Sequence, residues 1–165
     1  MKAILYGGPG QISLGERADP HLQAPSDAVV RVVLGCVCGS DLWYYRGESP
    51  HALGPIGHEF IGVVEDGGAD VRSVTKGDLV IAPFTYCDGT CANCLAGWPS
   101  NCMHGGSFGN HGVDGGQGEA VRVPFADATL VVLAERLATN RVFTLDRKDF
   151  GAYRIGRRAL RIVPA

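Results

Sequence analysis

The chain has 165 residues, 45% hydrophobic and 19% charged, with a formal net charge of -2. That length supports one main core and a short appendage, and the mild acidity predicts no general attraction to nucleic acid. The opening apolar run breaks at Gly7, too early for a signal-peptide core, and no stretch approaches the roughly 20 apolar residues of a membrane span. A cytoplasmic location without membrane attachment is expected, and in that reducing compartment six cysteines read as metal ligands or buried thiols rather than disulfides.

In chain order, β-branched runs recur at residues 28–34, 60–65, 78–84 and 119–123, each bounded by Gly, Pro or Asp. That spacing predicts a mainly β domain, a compact barrel or sandwich. Near Ala126 both charge and glycine content change. Residues 1–126 carry 13 acidic and 7 basic side chains with 22 glycines, whereas residues 127–165 carry 4 acidic, 8 basic and 2 glycines. Two kinds of structure are therefore expected to meet there, a domain over 1–126 and a short α/β tail over 127–165. In the tail, Asp127 stands in N-cap position before Leu130, Leu133, Ala134 and Leu137, which share one helical face and predict about three helical turns. Strands are expected at 141–145 and 159–163, with a turn over 146–150 between them.

Cys87, Cys91, Cys94 and Cys102 fall within one short stretch, and Gly89, Gly97 and Pro99 would let a loop wrap its sulfurs around one ion. Four soft ligands in a closed shell suit tetrahedral zinc in a structural role, bracing a loop too small for a core of its own. Asp88 lies three residues before Cys91 and Cys87 four before it, so either could complete the shell. Two further segments offer ligands: VCGSDL with Cys38, Ser40 and Asp41, and GHEF with His58 and Glu59. Each alone is a weak signal, since a cysteine at a strand end is more often buried than reactive.

Taken with the cysteine loop, and with the stretches DAVVRVVLGCVCGSDLWYYRG, GPIGHEFIGVVED, GDLVIAPF and GGQGEAVRVPFADATL, these segments resemble the zinc-dependent alcohol dehydrogenases of the medium-chain dehydrogenase/reductase family. The resemblance covers about residues 1–130 and implies a GroES-like β-barrel catalytic domain. It implies that Cys38 and His58 ligate a catalytic zinc, with Glu59 beside it as a further carboxylate. Asp41 would orient His58, and Ser40 would relay the substrate proton. The structural zinc would fall on Cys91, Cys94 and Cys102, with Asp88 at the usual first cysteine and Cys87 adjacent. The substrate would be a small alcohol or aldehyde and the hydride acceptor NAD or NADP.

Three features depart from that pattern. Trp43 stands where the family often has a proton-passing histidine, no cysteine follows Cys102, and no G-x-G-x-x-G occurs. A Rossmann domain is not expected within these residues, so turnover by this chain alone is not expected either. The tail resembles the C-terminal end of PIN-domain ribonucleases, in which Asp127 and Asp146 would be metal-holding acids; a helix cap and a turn residue are the competing readings. The leading expectation is a zinc-binding oxidoreductase domain, truncated or fused. A non-catalytic zinc-binding or interaction module, recruited by a partner through exposed apolar surface that could also serve self-association, is second, and a residual PIN-type nuclease third. Cys36 is expected to be a buried thiol, His104 and His111 to be solvated, and Trp43, Tyr44 and Tyr45 to fill a core or cleft wall.

Overall fold

In a computed structural model of the chain, the described residues are 1–110, 112–129 and the strand segments 131–132, 141–143, 154–155, 158–159 and 161–163. The chain opens with a hairpin, β1 (Lys2–Gly8) and β2 (Gln11–Glu16), and β3 (Ala28–Gly35) leads to the helix α1 (Asp41–Arg46). There follow β4 (Gly54–Pro55), β5 (Phe60–Gly67), β6 (Leu79–Ala82) and β7 (Thr85–Tyr86). Next come α2 (Ala92–Leu95), a single 3-10 turn (Pro99–Asn101), β8 (Gly106–Ser107), β9 (Ala120–Val123), α3 (Ala126–Thr129) and β10 (Val131–Val132). The main sheet runs β10-β6-β5-β3-β9 and a second runs β2-β1-β4. Segment 117–119 stitches the two together, since Ile4 N–H donates to the Gln117 carbonyl and Val32 N–H to that of Glu119.

All four strands expected before Ala126 are present: β9 alternates buried with half-buried residues, while β3, β5 and β6 bury neighbouring residues on both faces. In β9, Val121 and Val123 are fully buried and packed with Val30, Val64, Val80 and Phe60, while Arg122 points the other way to the buried Asp27 carboxylate, 3.1 Å away. Each such valine, taken from water, contributes roughly 1.5–3 kcal/mol. The hairpin and α1 go beyond the periodicity. α1 spans only six residues and ends at Gly47, whose φ of 76° lets its N–H turn back to the carbonyls of Trp43 and Tyr44.

The tail differs from its expected pattern first at the helix. The helix begun at Ala126 stops at Thr129, and Val131 and Val132 pair with Ile81 and Val80 of β6 instead. Two β-branched residues beside an unpaired sheet edge gain more from ladder hydrogen bonds than from continuing a helix. Leu130, Leu133, Ala134 and Leu137 lie outside the described residues, as does the 146–150 turn. Strand β11 (Arg141–Phe143) lies where a strand was expected, and the final one is divided into β13 (Arg158–Ala159) and β14 (Arg161–Val163). β11 pairs in parallel with β14, and β13 pairs with β12 (Arg154–Ile155).

Candidate metal centres

Strands β3 and β5 run antiparallel with Gly35 opposite Phe60, so the residues just after one strand and just before the other emerge side by side. Cys36 N–H extends the ladder by donating to the Glu59 carbonyl at 3.0 Å. Cys38, His58 and Glu59 thereby converge, with one donor atom of each within 4.8 Å of the others. Behind them, Asp41 is buried at the first turn of α1. Its Oδ2 accepts from Cys38 N–H at 2.9 Å and from Gln117 Nε2 at 3.2 Å, while its Oδ1 faces His58 Nδ1 at 3.4 Å. Oδ1 is buried and accepts no hydrogen bond from the described residues, and a carboxylate at that distance favours the tautomer with the proton on Nδ1 and Nε2 as the acceptor.

Ser40 Oγ lies 3.3 Å from Cys38 Sγ and 3.2 Å from His58 Nε2. His58 is only 2% exposed and Cys38 is half-buried. With Glu59 beside them, a thiol, an imidazole and a carboxylate face one small space, a donor set that suits a cation. Phe84 covers the other side of the imidazole, its ring centroid 4.1 Å away. Gly57, at φ 97°, admits Gln117 to this arrangement, since a Cβ there would stand 2.5 Å from Gln117 Cγ.

The cysteine loop hangs from the two-residue strands β7 and β8, which pair Thr85 with Ser107 and Tyr86 with Gly106. Within it the side chains of Asp88, Cys91, Cys94 and Cys102 converge, their donor atoms all within 4.8 Å of one another; Cys87 stands outside that set. Asp88 N–H donates to Cys102 Sγ at 3.3 Å and Met103 N–H to Cys91 Sγ at 3.5 Å. The Met103 bond, followed by the one from Cys94, lowers the Cys91 thiol, whereas burial, then contacts with Cys91 and Cys102, pushes Cys94 up to about 12. Adjacent sulfurs cannot all ionise unaided, and a divalent cation removes that conflict. Asp88 is held well below the ordinary carboxylate range by backbone donation from Cys91, then by His104 and Thr90. This donor set resembles the structural zinc site of zinc alcohol dehydrogenases.

None of the six cysteines forms a disulfide, and Cys36 is exposed rather than buried, because β3 ends at Gly35 and its alternation ends with it. Trp43 is 55% exposed and fills no core; Tyr45 does line a wall, an apolar recess of about 250 Å³ shared with Ile12, Val37 and Leu42. His104 is exposed as expected but engages Asp88 Oδ2, and His111 lies outside the described residues. Gln117, Phe84 and His104 take positions at these sites that no spacing announced, since each arrives by tertiary approach. Asp127 neither caps its own helix nor faces other acids as a ligand. Its carboxylate accepts from Arg72 N–H at 2.8 Å and from Ser73 N–H and Oγ at 2.7 Å each. With those lone pairs engaged, and with Asp146 outside the described residues, the likeness of the tail to PIN-domain ribonucleases finds no support.

A mainly β domain carrying a Cys-His-carboxylate cluster with its histidine buried, and a cysteine-rich loop, is the arrangement of a GroES-like domain. Residues 24–134 match the Alcohol dehydrogenase GroES-like domain family. The chain is 45% identical over 133 residues to Medium chain reductase/dehydrogenase ucsI of Acremonium sp., a match covering 79% of this chain and 46% of that protein. It is 39% identical over 136 residues to Zinc-type alcohol dehydrogenase B of Aspergillus flavus, covering 82% of this chain and 32% of the relative. Among solved structures, Alcohol dehydrogenase TADH from Thermus sp. ATN1 superposes with a TM-score of 0.76 at 38% identity, over 79% of this chain and 39% of the other. The chain belongs to the zinc-type medium-chain alcohol dehydrogenase family and spans less than half the length of these relatives.

Proposed function

We propose that this chain is the catalytic domain of a zinc-dependent alcohol dehydrogenase, holding one structural and one catalytic zinc. Hydride transfer between an alcohol or aldehyde and NAD or NADP then requires a nucleotide-binding unit beyond residues 1–165, and these residues alone do not turn over. The observation that carries this reading is the convergence of Cys38, His58 and Glu59 within 4.8 Å with Asp41 set behind the imidazole. The donor set suits zinc, which when bound supplies Lewis acidity that lowers the pKa of an alcohol. Asp41 fixes the tautomer that leaves His58 Nε2 free to ligate. Ser40 Oγ, within reach of both Cys38 and His58, is the hydroxyl placed to take the substrate proton. Trp43, a donor with no acceptor, cannot pass that proton on.

The second cluster, Asp88 with Cys91, Cys94 and Cys102, would hold the structural ion. The composition seam near Ala126 stays as the proposed division, with Val131 and Val132 tying the tail to the barrel. No helix among the described residues is long and apolar enough to cross a membrane. The six cysteines form no disulfide, which supports a reducing, cytoplasmic location. Metal analysis of purified chain tests the reading. Two zinc ions per chain are expected, falling to one in Cys38→Ser and also to one in Cys94→Ser. A full complement of zinc retained by Cys38→Ser would refute the catalytic site.

One observation favours a second reading, a non-catalytic module. Ile12, Leu14, Val37 and Leu42 are exposed and share two neighbouring recesses. Such a strip could serve self-association. Light scattering that gives a stable dimer, abolished by Val37→Asp, would favour that reading, whereas a monomer at all concentrations would remove it.

A further inference from the structure

Asp88 occupies a position where the resemblance places a cysteine, so a carboxylate has to serve where a thiolate would. A thiolate needs only to be near the ion, but a carboxylate has a second oxygen and a loosely held terminal torsion. The loop restrains both. Asp88 Oδ1 accepts from Thr90 N–H at 2.9 Å and from Cys91 N–H at 3.0 Å, which uses both of its lone-pair sites. His104 Nδ1 engages Oδ2, and an ionised carboxylate can only accept, so the imidazole donates. That leaves one lone-pair site on Oδ2. The Asp88 side chain is 4% exposed while His104 is 63% exposed, so the imidazole closes the solvent side of the carboxylate.

We infer that His104 is a positioning residue of the cysteine loop: its N–H locks the Asp88 carboxylate so that Oδ2 presents a single preset lone pair to the ion held by Cys91, Cys94 and Cys102. Hydrogen-bonded partners of metal ligands typically contribute about 10–100-fold in affinity. The inference rests on the structural-zinc reading above.

The test uses the full chain in a Cys38→Ser background, so that only the loop ion is counted. Zinc affinity is read by competition with a chromogenic chelator, and the visible spectrum of the cobalt(II)-loaded protein reports the ligand set. His104→Ala should weaken zinc binding about 10-fold or more, with cobalt bands unmoved because no ligand has been lost. His104→Asn, which restores an N–H donor, should recover most of that loss. Unchanged affinity in His104→Ala overturns the inference. So does a cobalt spectrum that shifts in His104→Ala, because the imidazole would then be a ligand itself. If the Cys38→Ser protein takes up no zinc that Cys94→Ser further removes, the structural-zinc reading fails and the inference falls with it.

Discussion

Cys38 and His58 meet because two antiparallel strands end side by side, whereas Asp88, Cys91, Cys94 and Cys102 meet because one short loop folds back on itself. The first cluster borrows its rigidity from the barrel: Asp41 and His58 are buried, and Ile56 and Phe60 beside them are at most 3% exposed. The second has almost no interior. Its helix α2 has four residues, its 3-10 turn has three, and Leu95, Trp98 and Met103 stand 65–76% exposed. A sheet packed with buried valines holds its side chains in place without metal, but a loop of this kind, on the reading proposed above, would have its ion to organise around. The same chemical device, thiolate with carboxylate, therefore plays two different parts: one cluster depends on the fold, and in the other the local fold depends on the cluster.

The largest expected effect lies where the two regions join. Phe108 follows β8 directly, is 1% exposed, and meets Phe60 edge-on at 5.1 Å and Tyr86 at 5.7 Å. Phe108→Ala should cost the barrel about 3–5 kcal/mol in urea unfolding, because a fully buried ring leaves a cavity. A loss confined to the loop, with the barrel transition unmoved, would show that the two regions are not coupled through this residue.

A smaller effect should come from Asp127, which shares a recess with Asp88 but takes no part in either cluster. Burial pushes this carboxyl up, but donation from Ser73 N–H, Ser73 Oγ and Arg72 N–H outweighs it, so its folded pKa lies below the ordinary value. Its contribution is thus fully present above the unfolded value of about 4 and drains away as pH falls through the folded one. Asp127→Asn should lower the thermal midpoint at pH 7, and the gap between the two proteins should narrow on acidification toward pH 3. An equal gap at both pH values would contradict the assignment of Asp127 as a brace for the Arg72–Ser73 turn.

How much of this the sequence disclosed follows the same division. The loop ligands were legible because they are close in the chain, where spacing alone reports proximity. Cys38 and His58 were legible only through resemblance, since nothing local says that the ends of β3 and β5 adjoin. Gln117 and Phe84 were not legible at all: an amide reaching Asp41 past Gly57, and a ring laid on His58, depend on packing between distant segments. Cys36, expected to be buried, is exposed because β3 ends one residue before it. The helical face from Leu130 to Leu137 was sound as a pattern, yet Val131 and Val132 were drawn to the edge of β6, and tertiary pairing overrode local propensity.

Amide hydrogen exchange on the full chain, before and after zinc is stripped with a chelator, tests the dependence directly. Protection across residues 87–105 should collapse by about two orders of magnitude or more while the amides of β3 and β5 keep theirs. Loss of protection in both regions together, or in neither, would contradict the account.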